Sequence, residues 1–198
     1  MREMISMVVV LTVLSAFSGG MLAAVKTGTS ERIENQILKF QKAPAIKLIL
    51  SDVDNDPLKD RFKIKDKDQE ITFFLGKQEN KSMAVAFETK GKGFGGDIGL
   101  MVGINLESDK VVAMGVTTHT ETPGLGSRAK DNPKFISQFA GLSISDANFA
   151  VKDSGGDINA MSGATITSKG VCIAAAQAKD IYMRLKPEIE KQIKELSN

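Results

Sequence analysis

From Met4 to Val25 only Ser, Thr and Gly interrupt the apolar residues, and no charge lies between Glu3 and Lys26. A bilayer core takes about 20 such residues to cross, so residues 1–27 are expected to form a transmembrane anchor. A cleaved signal peptide, with Arg2 as its positive region and Ser18-Gly19-Gly20 as its cleavage site, fits less well. The apolar run continues past that site through Met21-Leu22-Ala23-Ala24-Val25. Ser30 is then expected to cap a second helix, in which Ile33, Ile37 and Phe40 recur at helical spacing until Pro44 interrupts it. Residues 28–68 are taken together as a juxtamembrane helical and connecting segment.

The pattern changes at residue 69. Glu70 to Leu75 and Met83 to Glu88 are β-favouring runs joined by Gly76-Lys77-Gln78-Glu79-Asn80, and Ile98 to Asn105 turns at Glu107-Ser108-Asp109-Lys110 into Val111 to Thr118. Helical spacing then returns. Asn132-Pro133 opens a short amphipathic helix with Phe135, Ile136 and Phe139, closed by Gly141. From Thr167 or Ser168 a long helix presents Val171, Ala174, Ala175, Ala178, Ile181, Tyr182 and Leu185 on one face, and Pro187 is expected to start a last, charged helix. The expected class is α+β: a single domain over 69–198, with antiparallel strands and flanking helices, behind one N-terminal transmembrane helix.

Four stretches between these elements invite chemistry. The alternating carboxylates of Asp52 to Asp56 suggest a calcium loop, but an EF-hand needs Gly and Glu where Pro57 and Lys63 stand. Gly91-Lys92-Gly93-Phe94-Gly95-Gly96 matches the Gly-x-Gly-x-x-Gly dinucleotide pattern in letters only, because a strand follows it instead of a helix. It reads as a tight turn or a place of close backbone approach. His119-Thr120-Glu121-Thr122-Pro123-Gly124-Leu125-Gly126 carries a Pro-Gly turn that can aim peptide N–H groups at a ligand. Ser162-Gly163-Ala164-Thr165-Ile166-Thr167-Ser168 sets hydroxyls beside small residues where a helix begins. A helix start offers unpaired N–H groups and a positive dipole end to an anion.

Composition narrows the chemistry. The 198 residues hold 26 Lys and Arg against 24 Asp and Glu, with no basic cluster, so no nucleic-acid partner is expected. One cysteine, Cys172, and one histidine, His119, leave no multi-cysteine metal or iron–sulfur site, and no metal is expected. Cys172 lies in the long helix and reads as a small core residue. Redox or group-transfer work then requires an organic cofactor or partner subunits.

The Gly91 to Gly96 turn, Glu121-Thr122-Pro123-Gly124-Leu125-Gly126, Ser162-Gly163-Ala164-Thr165 before a helix, and the N-terminal span occur here in one order. Together they closely resemble the RnfG family of Rnf-type electron-transport complexes. They are also similar to NqrC of the sodium-pumping NADH:quinone reductase, which shares the same FMN-binding domain; chain length favours the Rnf family. The resemblance implies that a flavin transferase joins FMN through its phosphate to the hydroxyl of Thr165. Ser162, Gly163 and Ala164 would then flank the attachment, while Glu121, Thr122, Gly124, Leu125 and Gly126 line the isoalloxazine ring, with His119 a further neighbour. The family usually has Asp three residues before the Ser; Asn159 stands there, with Asp157 two residues earlier.

The same resemblance implies a covalent flavoprotein that relays electrons within a ferredoxin:NAD oxidoreductase coupled to ion transport. Its partners would be the other membrane subunits, and it would have no catalytic residues or turnover of its own. It also implies a bacterial or archaeal cytoplasmic membrane with the FMN domain outside. Counting positive charges around the span argues for the opposite side, but long domains translocate largely regardless of that count. Two alternatives remain: the quinone-reductase component NqrC, and a non-redox membrane-anchored ligand-binding domain.

Overall fold

The computed structural model describes residues 2–67, 69–79 and 81–196, which form two compact units, one up to Phe40 and one from Gln41. The first is a single helix, α1 (Arg2–Ile37), exposed along almost its whole length. Its Arg2–Ser30 stretch is long and apolar enough to cross a membrane. Ser30 does not cap a new helix, because α1 runs through it without a break. The hydroxyls of Thr27, Thr29 and Ser30 donate back to Ala23 O, Val25 O and Thr27 O, at 2.9, 2.7 and 3.0 Å. Back-bonding of this kind satisfies the side chain inside a helix and leaves the ladder intact. The interruption comes later, in a π-helical turn, Leu38–Lys42, ahead of Pro44 in the first turn of α2 (Ala43–Ile49). Proline is tolerated there because a first-turn N–H would have no helical partner.

The second unit is built on a five-stranded antiparallel meander: β1 (Arg61–Asp66), β2 (Gln69–Gln78), β3 (Lys81–Lys92), β4 (Asp97–Asn105) and β5 (Val111–Val116), in spatial order. Alternation gives the sheet two different faces. The row Phe73, Phe87, Val102, Met114 crosses it on one side. These residues join the main core beneath α5 (Thr165–Leu196). The adjacent row Phe74, Ala86, Gly103, Ala113 points to the other side. Its small residues leave room for α2, and Ile46, Ile49 and Leu50 are buried there; a Cβ on Gly103 would lie 2.2 Å from Ile49.

Helix α5 is tied to the sheet along its length. Thr89 on β3 donates to Ala174 O at 2.8 Å, and farther along Tyr182 Oη donates to Asp109 Oδ1 at 2.7 Å, with Lys186 paired to the same carboxylate. Pro187 lies inside α5 and starts no separate helix. It is exposed, and so is Met183, whose carbonyl loses its donor, so water can replace the missing bond. Tyr182 and Ile189 stay fully buried on either side of it. Between sheet and helix lie two short helices, α3 (Arg128–Asp131) and α4 (Pro133–Ile136), the latter capped by Asn132 Oδ1, which accepts from Lys134 N at 3.0 Å. The amphipathic helix expected to reach Gly141 therefore splits, with Phe139 carried in a 3₁₀ turn, Ser137–Phe139.

Candidate functional site

Three stretches far apart in sequence meet at one buried carboxylate, Glu121, only 6% exposed. Its Oε1 accepts from Gly95 N, at 2.8 Å, in the glycine turn between β3 and β4. Its Oε2 accepts from the hydroxyl of Thr167 in the first turn of α5. Thr120 reinforces the join, its Oγ1 donating to Gly95 O at 2.9 Å. Gly126 passes so close that a Cβ there would lie 2.6 Å from Glu121 Oε2. The backbone N–H of Glu121 donates to His119 Nδ1 at 3.3 Å, which puts a neutral ring's proton on Nε2.

The loop after Glu121 closes on itself and then reaches across. Thr122 O accepts from Leu125 N and Ser127 N, each at 3.2 Å, and Gly124 N donates to Ser127 Oγ at 2.9 Å. Arg128 braces this loop against the attachment stretch: its Nε donates to Leu125 O at 3.0 Å and its Nη2 to Ser162 O. Sequence reading passed over Arg128, because a long-range bond to a backbone carbonyl leaves no local pattern. Thr122, Gly124 and Leu125 are exposed, whereas Glu121 and Gly126 are buried, so the five proposed ring-lining residues divide between surface and interior.

Ser162-Gly163 forms a turn with Gly163 at φ +76°, a left-handed conformation that glycine adopts without strain. Ala164 then packs inward, and α5 begins at Thr165. The hydroxyls here have different fates. Ser168 is buried, accepting from Met161 N and donating to Ala164 O, each at 2.9 Å, and Thr167 is committed to Glu121. Thr165 and Ser162 face solvent, with no side-chain hydrogen bond among the described residues. Asn159 is turned toward Gln138, whose Oε1 accepts from both its backbone N and its Nδ2 at 2.8 Å. The FMN-binding domain family matches residues 93–180, which contain every residue of this cluster.

Over 90% of its length the chain is 31% identical to the G subunit of the ion-translocating oxidoreductase complex of Erwinia tasmaniensis, covering 89% of that protein. The chain belongs to this RnfG family. Its counterpart of the same name in Escherichia coli K12 is 33% identical over 86% of the chain, with 86% of that protein covered. The fold alone also recurs in the C subunit of the Na(+)-translocating NADH-quinone reductase of Parabacteroides distasonis. That match has a TM-score of 0.51 and 22% identity, over 66% of this chain and 70% of the other.

Within this RnfG fold, Cys172 is a core residue of α5, and burial pushes its thiol up to about 11. It therefore stays protonated and unreactive at neutral pH. The carboxylates after α2 are spent locally: Asp54 Oδ2 accepts from Glu79 N at 2.9 Å, and Asn55 bonds Asp60, Leu75 O and Lys77 N.

Proposed function

We propose that this chain is a membrane-anchored flavoprotein whose FMN is joined, through its phosphate, to Thr165 Oγ1. The observation that carries the reading is the sorting of hydroxyls at the start of α5. Thr167 and Ser168 are locked into the fold, while Thr165 presents a free hydroxyl at the first helical residue. The residues present suit a phosphodiester. The N–H groups of the first helical turn lack intrahelical acceptors, and the helix start favours an anion. Arg128 stands beside the same turn, 3.9 Å from where a Cβ of Gly163 would be, and adds a cation. Ser162 is exposed too, but it precedes the helix and lacks that N–H array.

On this reading residues 1–27 hold the protein in the membrane and 69–198 carry the cofactor, while the segment 28–68 between them also lends α2 and β1 to the cofactor domain. Bound FMN supplies reversible electron transfer. The protein holds and orients it beside the exposed loop of Thr122, Gly124 and Leu125, while Glu121 and Gly126 lock that loop from beneath. Attachment by the phosphate leaves the ring free and keeps it at the site without depending on affinity. The chain turns over no substrate alone. It passes electrons between the other membrane subunits of an Rnf-type ferredoxin:NAD oxidoreductase coupled to ion transport, after a flavin transferase has loaded it. Its place in such a complex is supported by the names of its relatives, and the extracytoplasmic side of the FMN domain by the family resemblance.

The test is a denaturing gel under ultraviolet light, run on protein from cells that contain the flavin transferase. Wild type should fluoresce and Thr165→Val should be dark. Fluorescence that survives the substitution refutes the attachment site. Dark wild-type protein refutes the covalent reading, and a colourless preparation would favour a non-redox ligand-binding domain.

A further inference from the structure

Glu121 is a buried carboxyl group with no cation beside it in the hydrogen-bond and ion-pair network of the described residues. Its oxygens are met by one N–H and one O–H, from Gly95 and Thr167, and no Lys, Arg or His pairs with it among the described residues. Gly93 and Gly95 close the glycine turn, Gly126 covers its other side, and His119 meets its backbone N–H with a bare Nδ1. Arg128, on the loop after Glu121, spends its guanidinium on Leu125 O and Ser162 O. A buried carboxylate is expensive to keep without a partner. A purely structural clasp between Gly95 and Thr167 could be made by an amide.

We propose that the negative charge of Glu121 lowers the reduction potential of the flavin held at Thr165. This rests on the covalent reading above. The geometry places the charge within one helical turn of the attachment residue, since Thr167 is two positions beyond Thr165 and bonds Glu121 directly. Adding an electron brings negative charge into a region whose interior already holds one. Low effective dielectric makes that repulsion felt across several ångströms. Glu121 thus acts as a tuning residue, below the exposed part of the loop and out of contact with solvent.

Glu121→Gln separates charge from geometry. The amide oxygen can accept from Gly95 N–H and the amide nitrogen can donate to Thr167 Oγ1, while the threonine hydroxyl turns back to a carbonyl one turn earlier. The full-length, flavin-loaded protein in detergent would be titrated spectroelectrochemically, with loading read from gel fluorescence and integrity from thermal unfolding. The expected result is a positive shift of the midpoint potential. It should correspond to a reduction equilibrium about tenfold more favourable, about 59 mV for a one-electron step. Thr167→Val keeps the charge and removes one of its donors, so its potential should stay unchanged or fall. An unchanged or lower potential in Glu121→Gln, or a rise in Thr167→Val, overturns the proposal. If Glu121→Gln does not fold, Glu121→Ala with the same readouts takes its place: a positive shift supports the proposal and an unchanged or lower potential overturns it. Absence of gel fluorescence from wild type would instead mark failure of the covalent reading beneath it.

Discussion

Replacing Gly91 with alanine should loosen the whole docking of α5 on the sheet. A Cβ at residue 91 would sit 1.9 Å from Gly170 O and 2.8 Å from Ala174 N. Both neighbours are backbone atoms of one helix, so no side chain can rotate aside and α5 must withdraw. Overpacking of this kind costs about 1–3 kcal/mol, and a rigid backbone neighbour places it toward the upper end. The retreat also stretches the buried bond from Thr89 Oγ1 to Ala174 O, now 2.8 Å, worth about 1 kcal/mol more. The sum, about 3–4 kcal/mol, corresponds to a fall of about 6–15 °C in melting temperature for a unit of this size. Differential scanning calorimetry of the detergent-solubilised protein measures it. Gly163→Ala is the control: its φ of +76° strains an alanine by about 1–2 kcal/mol, but the nearest atom to the new methyl is 3.6 Å away. A Gly91→Ala melting temperature within about 2 °C of wild type, or below-wild-type losses equal in the two variants, would refute the close-approach argument.

Two other outcomes follow from the bonds described. Burial pushes the Asp109 carboxyl up, but the bonds from Lys186 and Tyr182 outweigh it and hold it below the usual carboxylate range. A depressed folded value means that the unfolded chain binds the proton more readily. Its contribution to stability is therefore complete above about pH 4 and is lost as pH falls through the folded value. Asp109→Asn should be less stable than wild type at pH 6, with the two converging toward about pH 2 in acid-unfolding curves; parallel curves would contradict this. Asn159→Asp removes the Nδ2 donor to Gln138 and sets a carboxylate against its Oε1. It should cost about 0.5–1.5 kcal/mol in urea unfolding while gel fluorescence is kept or increased, and loss of fluorescence would show that the asparagine itself is needed.

The sheet was legible wherever apolar positions alternated inside turn signals, and four of its strands are found where those signals stand. The first strand escaped notice although Phe62 and Ile64 alternate with Arg61, Lys63 and Lys65, because three cations in six residues read as a solvated connection. Helix ends were misread where local chemistry has two outcomes. Ser30 could cap or back-bond, and Pro187 could start a helix or sit on a wet face of one; tertiary position chose between them. Motif recognition grouped three stretches that the structure brings into contact, but it could not orient Glu121. A carboxylate in a turn is ordinarily solvated, and only the glycines packed around it show that it points inward. Arg128 and Gln138 act through backbone carbonyls and amides distant in sequence, so neither could be found from local pattern.

Helix α2 has a practical consequence for anyone preparing the soluble part of this protein. It is the lid on the second face of the sheet, and its seven residues come directly after the membrane-side helix and the π turn. A fragment cut to start at residue 51 would strip Ile46, Ile49 and Leu50 from Gly76, Gly103 and Gly115 on this face, baring an apolar surface of the kind that drives self-association. Starting at Gln41 carries the cover along and also keeps Lys42 with its partner Glu88, 2.7 Å away. The useful proteolytic boundary therefore lies ahead of α2, at the membrane-proximal turn, and a preparation trimmed closer to the cofactor should precipitate while the longer one stays monodisperse.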